Sequence, residues 1–363
     1  MSTGIAMLQY AHMIWMFTTA VALAALLTWG VRLLMLRLSV VDAPEGGRKI
    51  HKKPIALGGG LAIFLTCSTL MLILLQQGKL GADISPKIII GCVIAGAVLM
   101  IGGFLDDKHR WKPKKQLIAP IIAAGIILTA GLGLESVTNP TGGLLALNQI
   151  RFTLEGLGNL VLFADTVVFF WLMGMMFTTK FLDGLDGLVA GTAAIGGLMM
   201  FFVARQPQWF QPEVAMVSLI FAGACAGFLV WNFHPAKIFL GEGGSVYTGF
   251  MLGVLALISG SKIATTLLVM GVPILDVARV IVTRKMKGKS IFEGDDEHLH
   301  YKLLHSGLSQ KQTVYIFYGI SALFGMSTLY LQSKEKLMAL ILLGIMMLFV
   351  GVWFSKHPYE QAK

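Results

Sequence analysis

Long apolar runs dominate this 363-residue chain, and short polar breaks separate them. A run of about 17–25 apolar residues is long enough to cross bilayer hydrocarbon as a helix. Such runs cover 11–35, 57–76, 87–105, 117–134, 159–178, 187–203, 213–231, 245–259, 261–282, 313–332 and 337–354. The pattern predicts about 11 transmembrane helices, the two shortest runs being tilted, broken or partly interfacial. Helices are the expected element because lipid offers no partner to an unpaired backbone N–H or C=O. The fold class is therefore all-α, polytopic and integral to a membrane. With no internal repeat, linker or low-complexity tract, a single domain over 1–363 is the economical division.

Composition agrees with the pattern. The chain is 56% hydrophobic and only 13% charged, with a mean hydropathy of +0.75. A soluble domain carries about 25% charge. The first run has no Lys or Arg before Arg32, so it lacks the basic leader of a cleaved signal segment and is expected to stay attached. Cys67, Cys92 and Cys225 all fall in apolar runs and read as small buried hydrophobes.

The net charge of +10 raises the question of nucleic acid, but its distribution answers differently. If the N-terminus lies outside, the segments 36–56, 106–116 and 283–312 all fall inside and hold most of the Lys and Arg. That asymmetry sets the N-terminus outside and the C-terminus in the cytoplasm. The basic excess is topological, with anionic lipid and phosphate as its secondary partners, and no nucleic acid is expected.

The same cytoplasmic breaks carry the candidate chemistry. Ionised groups beside a bilayer are costly, so they mark a functional site by default. In GGFLDDKHRWKPKKQ, one of Asp106 and Asp107 could bind a cation while the other orients or deprotonates a nucleophile; the bland alternative is a capping pair followed by topogenic lysines. In TTKFLDGLDGLVAG, Asp183 and Asp186 are three apart and each precedes a glycine, although Asp186 could simply cap the next helix. NFHPAKIFLGEGGS reads as a glycine-rich loop leading into a helix whose N–H groups suit phosphate. Within it Asn232 and Phe239 suit a base, and Glu242 is a hard oxygen ligand of the kind Mg²⁺ prefers. The segment EGDDEHLHYKLLH offers His298 and His300 for phosphate or proton handling, with zinc as a weaker competitor and His305 read as interfacial. Arg48, His51, Lys52 and Lys53 suit an acidic head group or an anchoring role, and Asp276 in PILD is placed to buttress the site.

In order, RKIHKKPIALGGG, GGFLDDK, FLDGLDGLVAG, NFHPAKIFLGEGGS, PILD and HLHYKLL resemble the polyprenyl-phosphate N-acetylhexosamine-1-phosphate transferase family over about 40–310. The resemblance implies a multi-pass enzyme of the cell membrane, working at the cytoplasmic face in cell-envelope synthesis. Its reaction would move a sugar 1-phosphate, GlcNAc-1-phosphate in the favoured branch, from a UDP-sugar to polyprenyl phosphate with release of UMP. Asp106, Asp107, Asp183 and His298 take the catalytic positions of that pattern. Asp186, Asn232, Phe239, His300, Lys115 and Lys52 take substrate-binding positions, and Glu242 the position that holds Mg²⁺, with Mn²⁺ as a substitute. The chain departs from the pattern where Glu242 replaces Asp, where Lys180 stands for Asn, and where Tyr301 replaces the last His of the His-x-His-His motif. The runner-up branch is the phospho-MurNAc-pentapeptide translocase. A transporter, from a different class, would set its acids near the bilayer midplane instead. A homodimer is compatible with the sequence.

Overall fold

The computed structural model describes residues 2–43, 53–134, 136–138, 144–146, 151–154, 158–260, 262–288 and 297–356. Each expected apolar run is met by helix. In chain order the helices are α1 (Ser2–Arg37), α2 (Gly60–Gln76), α3 (Pro86–His109), α4 (Pro113–Gln116), α5 (Ile118–Thr129), α6 (Leu162–Leu182) and α7 (Leu188–Ala204). They continue as α8 (Pro212–Asn232), α9 (Gly241–Ile258), α10 (Ile263–Val269), α11 (Gly271–Met286), α12 (Leu299–His305), α13 (Gln310–Ser327) and α14 (Ser333–Lys356). Six of them are long and apolar enough to cross a membrane, and α10 with α11 makes a bent seventh. This is a multi-pass helical membrane protein.

Two expectations are corrected. The run 261–282 is not one straight helix, because α10 and α11 meet at 78°. Pro273 explains the break: its ring would clash with the carbonyl four residues back, at Val269, where α10 ends. The glycine-rich GEGGS segment is not a loop ahead of a helix either; α9 starts at Gly241 and contains it. Between α5 and α6 the chain forms hairpins, Ser136–Thr138 pairing with Leu144–Ala146 and Arg151–Leu154 with Gly158–Val161.

The bundle is built around α9, whose residues are almost all buried and which packs on α2, α3, α6 and α7. Small residues permit the approach, as expected where lipid supplies no hydrophobic drive between helices. A Cβ on Gly249 would lie 2.3 Å from the Met175 carbonyl of α6, and one on Gly227 of α8 would lie 2.3 Å from the Val21 carbonyl of α1. Outward-facing Phe170, Leu323 and Phe349 are exposed, giving the apolar surface that a bilayer covers.

Candidate active site

Most of the sequence-predicted residues gather where α3, α6 and α8 end and α7, α9 and α12 begin, with Asp276 reaching them from within α11. Glycine brings the first of these ends together. A Cβ on Gly103 of α3 would fall 2.1 Å from the Gly243 nitrogen, and one on Gly60 of α2 would fall 1.9 Å from the Gly244 Cα. Backbone therefore touches backbone at the start of α9. Main-chain pairing locks the arrangement: the N–H groups of Gly59 and Gly60 donate to the carbonyls of Phe239 and Leu240 at 2.8 and 2.9 Å. Phe239 N–H in turn donates to the Ala56 carbonyl at 2.9 Å.

The adjacent acids of α3 diverge. Asp106 is buried and folds back on its own chain, its Oδ1 accepting the Trp111 N–H at 2.8 Å. Arg110, at φ 49°, ends the helix there. Asp107 turns to α9, where its Oδ1 accepts the Glu242 N–H at 3.1 Å. That amide belongs to the first turn of α9, whose N–H groups have no partner within the helix. Gly241 at φ +73° makes the approach possible, since a Cβ there would lie 2.4 Å from Asp107 Oδ2. On its other side Asp107 is, among the described residues, the one charged group lining a cavity of about 240 Å³, otherwise walled by Met35, Leu61, Met100, Phe104, Leu105 and their neighbours.

The loop between α6 and α7 is fixed from beneath. Asp186 does not cap α7; its Oδ2 accepts from His234 Nδ1 at 2.7 Å and from the Ala236 N–H at 3.1 Å. Asn232 is buried, accepts the Gly187 N–H at 3.0 Å and donates to the Ile238 carbonyl at 2.9 Å. Both side chains thus tie this loop to the one before α9. Asp183 points into the open: its residue is exposed, yet its carboxyl is hemmed in by protein at longer range, which describes a recess. Lost solvation, followed by the nearby charges of Glu242, Asp107 and Asp186, pushes its pKa up to about 8.

The histidine segment closes the other side. Asp276 Oδ2 holds His298 Nδ1 at 2.9 Å and the Leu299 N–H at 3.0 Å, while its Oδ1 accepts from Arg279 Nη2 at 2.7 Å. His298 stacks between Phe181 and His300, with ring centroids 6.0 and 5.7 Å away. His300 is 1% exposed and neither ring nitrogen has a hydrogen-bond partner among the described residues. Burial above all, and then His298, lowers its pKa to about 3. Its ring lies against the polypeptide at Gly184, where a Cβ would come 2.4 Å from Nε2.

Lys180 and Glu242 meet across the recess, Nζ to Oε2 at 2.6 Å, and Lys180 also donates to Gln116 Oε1 at 2.8 Å. Among the described residues no three His, Cys, Asp or Glu side chains gather as a metal-binding group. With the Glu242 carboxylate already held by an ammonium, the donor set does not fit a preformed divalent-cation site. Lys115 is exposed on α4, Phe239 is half-buried, and Lys52 lies outside the described residues. Arg279, His234 and Gln116 are members of the site that the sequence reading passed over. Arg279 had a legible signal, a cation in an apolar run three residues after Asp276.

Residues 89–260 match the model of glycosyl transferase family 4. The chain is 28% identical to a probable undecaprenyl-phosphate N-acetylglucosaminyl 1-phosphate transferase of Bacillus subtilis (strain 168), over 93% of this chain and 89% of that one. It is 31% identical to the decaprenyl-phosphate N-acetylglucosaminephosphotransferase of Mycobacterium tuberculosis (strain CDC 1551 / Oshkosh), over 90% and 84%. A phospho-N-acetylmuramoyl-pentapeptide-transferase of Halalkalibacterium halodurans is 30% identical over 79% and 87%. The helical bundle and its acid-and-histidine recess are those of a multi-pass membrane transferase acting on phosphate groups. The chain belongs to glycosyl transferase family 4.

Proposed function

We propose that the chain transfers N-acetylglucosamine 1-phosphate from UDP-N-acetylglucosamine to a polyprenyl phosphate, releasing UMP, at the cytoplasmic face of the cell membrane. The observation that carries this reading is the position of Asp107, which borders an apolar cavity on one side and the acidic recess on the other. A lipid phosphate has the same two-sided character. The names of the Bacillus and Mycobacterium relatives supply the sugar and the lipid class. The concentration of Lys and Arg in the segments that share this end supports the cytoplasmic face, with about 11 crossings and the N-terminus outside.

In this reading the lipid phosphate oxygen bonds to the sugar-bearing phosphorus, and the bond from that phosphorus to the bridging oxygen breaks. The electron pair leaves with UMP. Asp107 takes the lipid phosphate's proton when it carries one. His298, its Nδ1 fixed by Asp276, offers Nε2 to a phosphate oxygen. Asp183 orients the donor. Positioning and charge placement are what phosphoryl transfer asks of a protein, and these residues supply both.

The test is UMP release from purified protein given polyprenyl phosphate and a panel of UDP-sugars, with and without Mg²⁺. UDP-N-acetylglucosamine is the expected donor. If no donor yields UMP the proposal fails, and turnover with UDP-MurNAc-pentapeptide alone would assign the chain to the other branch.

A further inference from the structure

Two of the residues by which this chain departs from the pattern it resembles are each other's partners. Lys180 sits in the last turn of α6 and Glu242 in the first turn of α9, 62 positions apart in sequence, and their charged atoms are 2.6 Å apart. Departures that touch amount to one change of chemistry. An Asn facing an Asp is a neutral donor beside a ligand carboxylate; a Lys facing a Glu is a fixed cation with its counter-ion. The extra methylene of Glu242 gives its carboxylate the longer reach toward the ammonium.

The setting suits a cation that is meant to stay. Lys180 is largely shielded, with 13% of its side chain exposed, whereas Glu242 keeps 34%. The Lys180 Nζ lies over the Phe177 ring, 6.0 Å from its centroid. An ammonium has three N–H donors. Among the described residues Glu242 and Gln116 take two of them, which leaves one for an incoming anion. A lysine serves as a point charge for phosphate. A divalent ion seeking Glu242 would have to displace the ammonium or lie beside it against like-charge repulsion. Mg²⁺ usually relies on only one or two protein carboxylates; with Glu242 engaged, the acids left beside it are Asp183 and Asp107, and Asp107 already accepts the Glu242 N–H.

We propose that Lys180, held by Glu242 and Gln116, is the resident cation of this site: its ammonium binds the diphosphate of the sugar nucleotide, and Glu242 serves it as counter-ion instead of ligating a metal. The diphosphate assignment rests on the UDP-sugar transferase reading above. The cation assignment stands on the geometry alone.

Two binding measurements on the full-length protein in lipid nanodiscs test it apart from turnover. In a Mn²⁺ titration followed by electron paramagnetic resonance, the wild type is expected to show no Mn²⁺ site that depends on Glu242. The double variant Lys180→Asn/Glu242→Asp is expected to gain one. By calorimetry, wild-type affinity for UDP should be the same in EDTA as in Mg²⁺ within about threefold. Lys180→Met should lower it by at least about tenfold in EDTA, the order expected for one charge-assisted hydrogen bond, and Lys180→Arg should retain most of it. Unchanged melting temperatures show that the variants are folded. One equivalent of Mn²⁺ on the wild type that Glu242→Gln removes would overturn the proposal, as would unchanged UDP affinity in folded Lys180→Met. If inorganic pyrophosphate binds through Lys180 while UDP does not bind under any condition, the cation assignment stands and the nucleotide reading falls.

Discussion

Asp107 Oδ1 accepts a hydrogen bond from the Glu242 main-chain N–H at 3.1 Å, so an acid at the end of one helix is steered by the backbone at the start of another. Its neighbour Asp106 is steered by Trp111 instead. Two consecutive aspartates therefore do different work.

That division is measurable. Asp107→Asn should lower UMP release by about 10³-fold, within the range for a lost general base, and leave the melting temperature nearly unchanged. Asp106→Ala should act first on stability, costing about 1–3 kcal/mol because the Trp111 N–H loses its partner. Equal losses of turnover at equal stability in the two variants would contradict the assignment.

Gly103→Ala tests the backbone contact between α3 and α9. The added Cβ would lie 2.1 Å from the Gly243 nitrogen, which is main chain and cannot step aside as a side chain can. Overpacking of this kind costs about 1–3 kcal/mol. A lower melting temperature and a weaker lipid-substrate KM are expected together. Gly125, where nothing lies within 4 Å of an added Cβ, is the control, and its Ala variant should match the wild type.

Asn232→Ala removes the partner of the Gly187 N–H and of the Ile238 carbonyl at once. A loss of about 2–4 kcal/mol is expected from two stranded polar groups, read as a drop in melting temperature. A variant that loses UDP affinity but keeps its full stability would show that Asn232 works on the base and not on the loop.

His300 makes a pH prediction with a definite sign. Its pKa falls from 6.5 to about 3 on folding, so between those values the unfolded chain binds the extra proton. Stability rises with pH wherever the unfolded state binds more protons. The contribution of this residue is thus full above pH 6.5 and lost progressively as pH falls toward 3. Thermal melts across that window should be steeper in pH for the wild type than for His300→Phe, and identical slopes would refute the burial argument.

The helices were legible in the sequence because apolar length alone dictates them. Asp107, Asp183, Asp186, Glu242, His298 and His300 lie at or beside the helix ends that meet there, while Asp276 reaches them from within α11. What the sequence did not disclose was who holds whom. The Asp186 contact with His234 bridges 48 positions and the Asn232 contact with Gly187 bridges 45, and no local pattern announces a bond across such distances. Capping stood as an alternative for Asp186 because an Asp before a helix commonly is a cap. The start of α9 was misjudged for a similar reason: glycine is a poor helix former in isolation, and only packing against Gly60 and Gly103 rewards it there.

A helix end made of glycines has no rotamers. Where Gly60 meets Gly244 and Gly103 meets Gly243, the separation of the three helices is a fixed dimension of the main chain. The gauge against which Asp107 is set cannot drift as side chains rearrange with temperature or lipid composition. Evolution can retune the flexible Met35 and Met100 walls of the neighbouring cavity without disturbing that gauge.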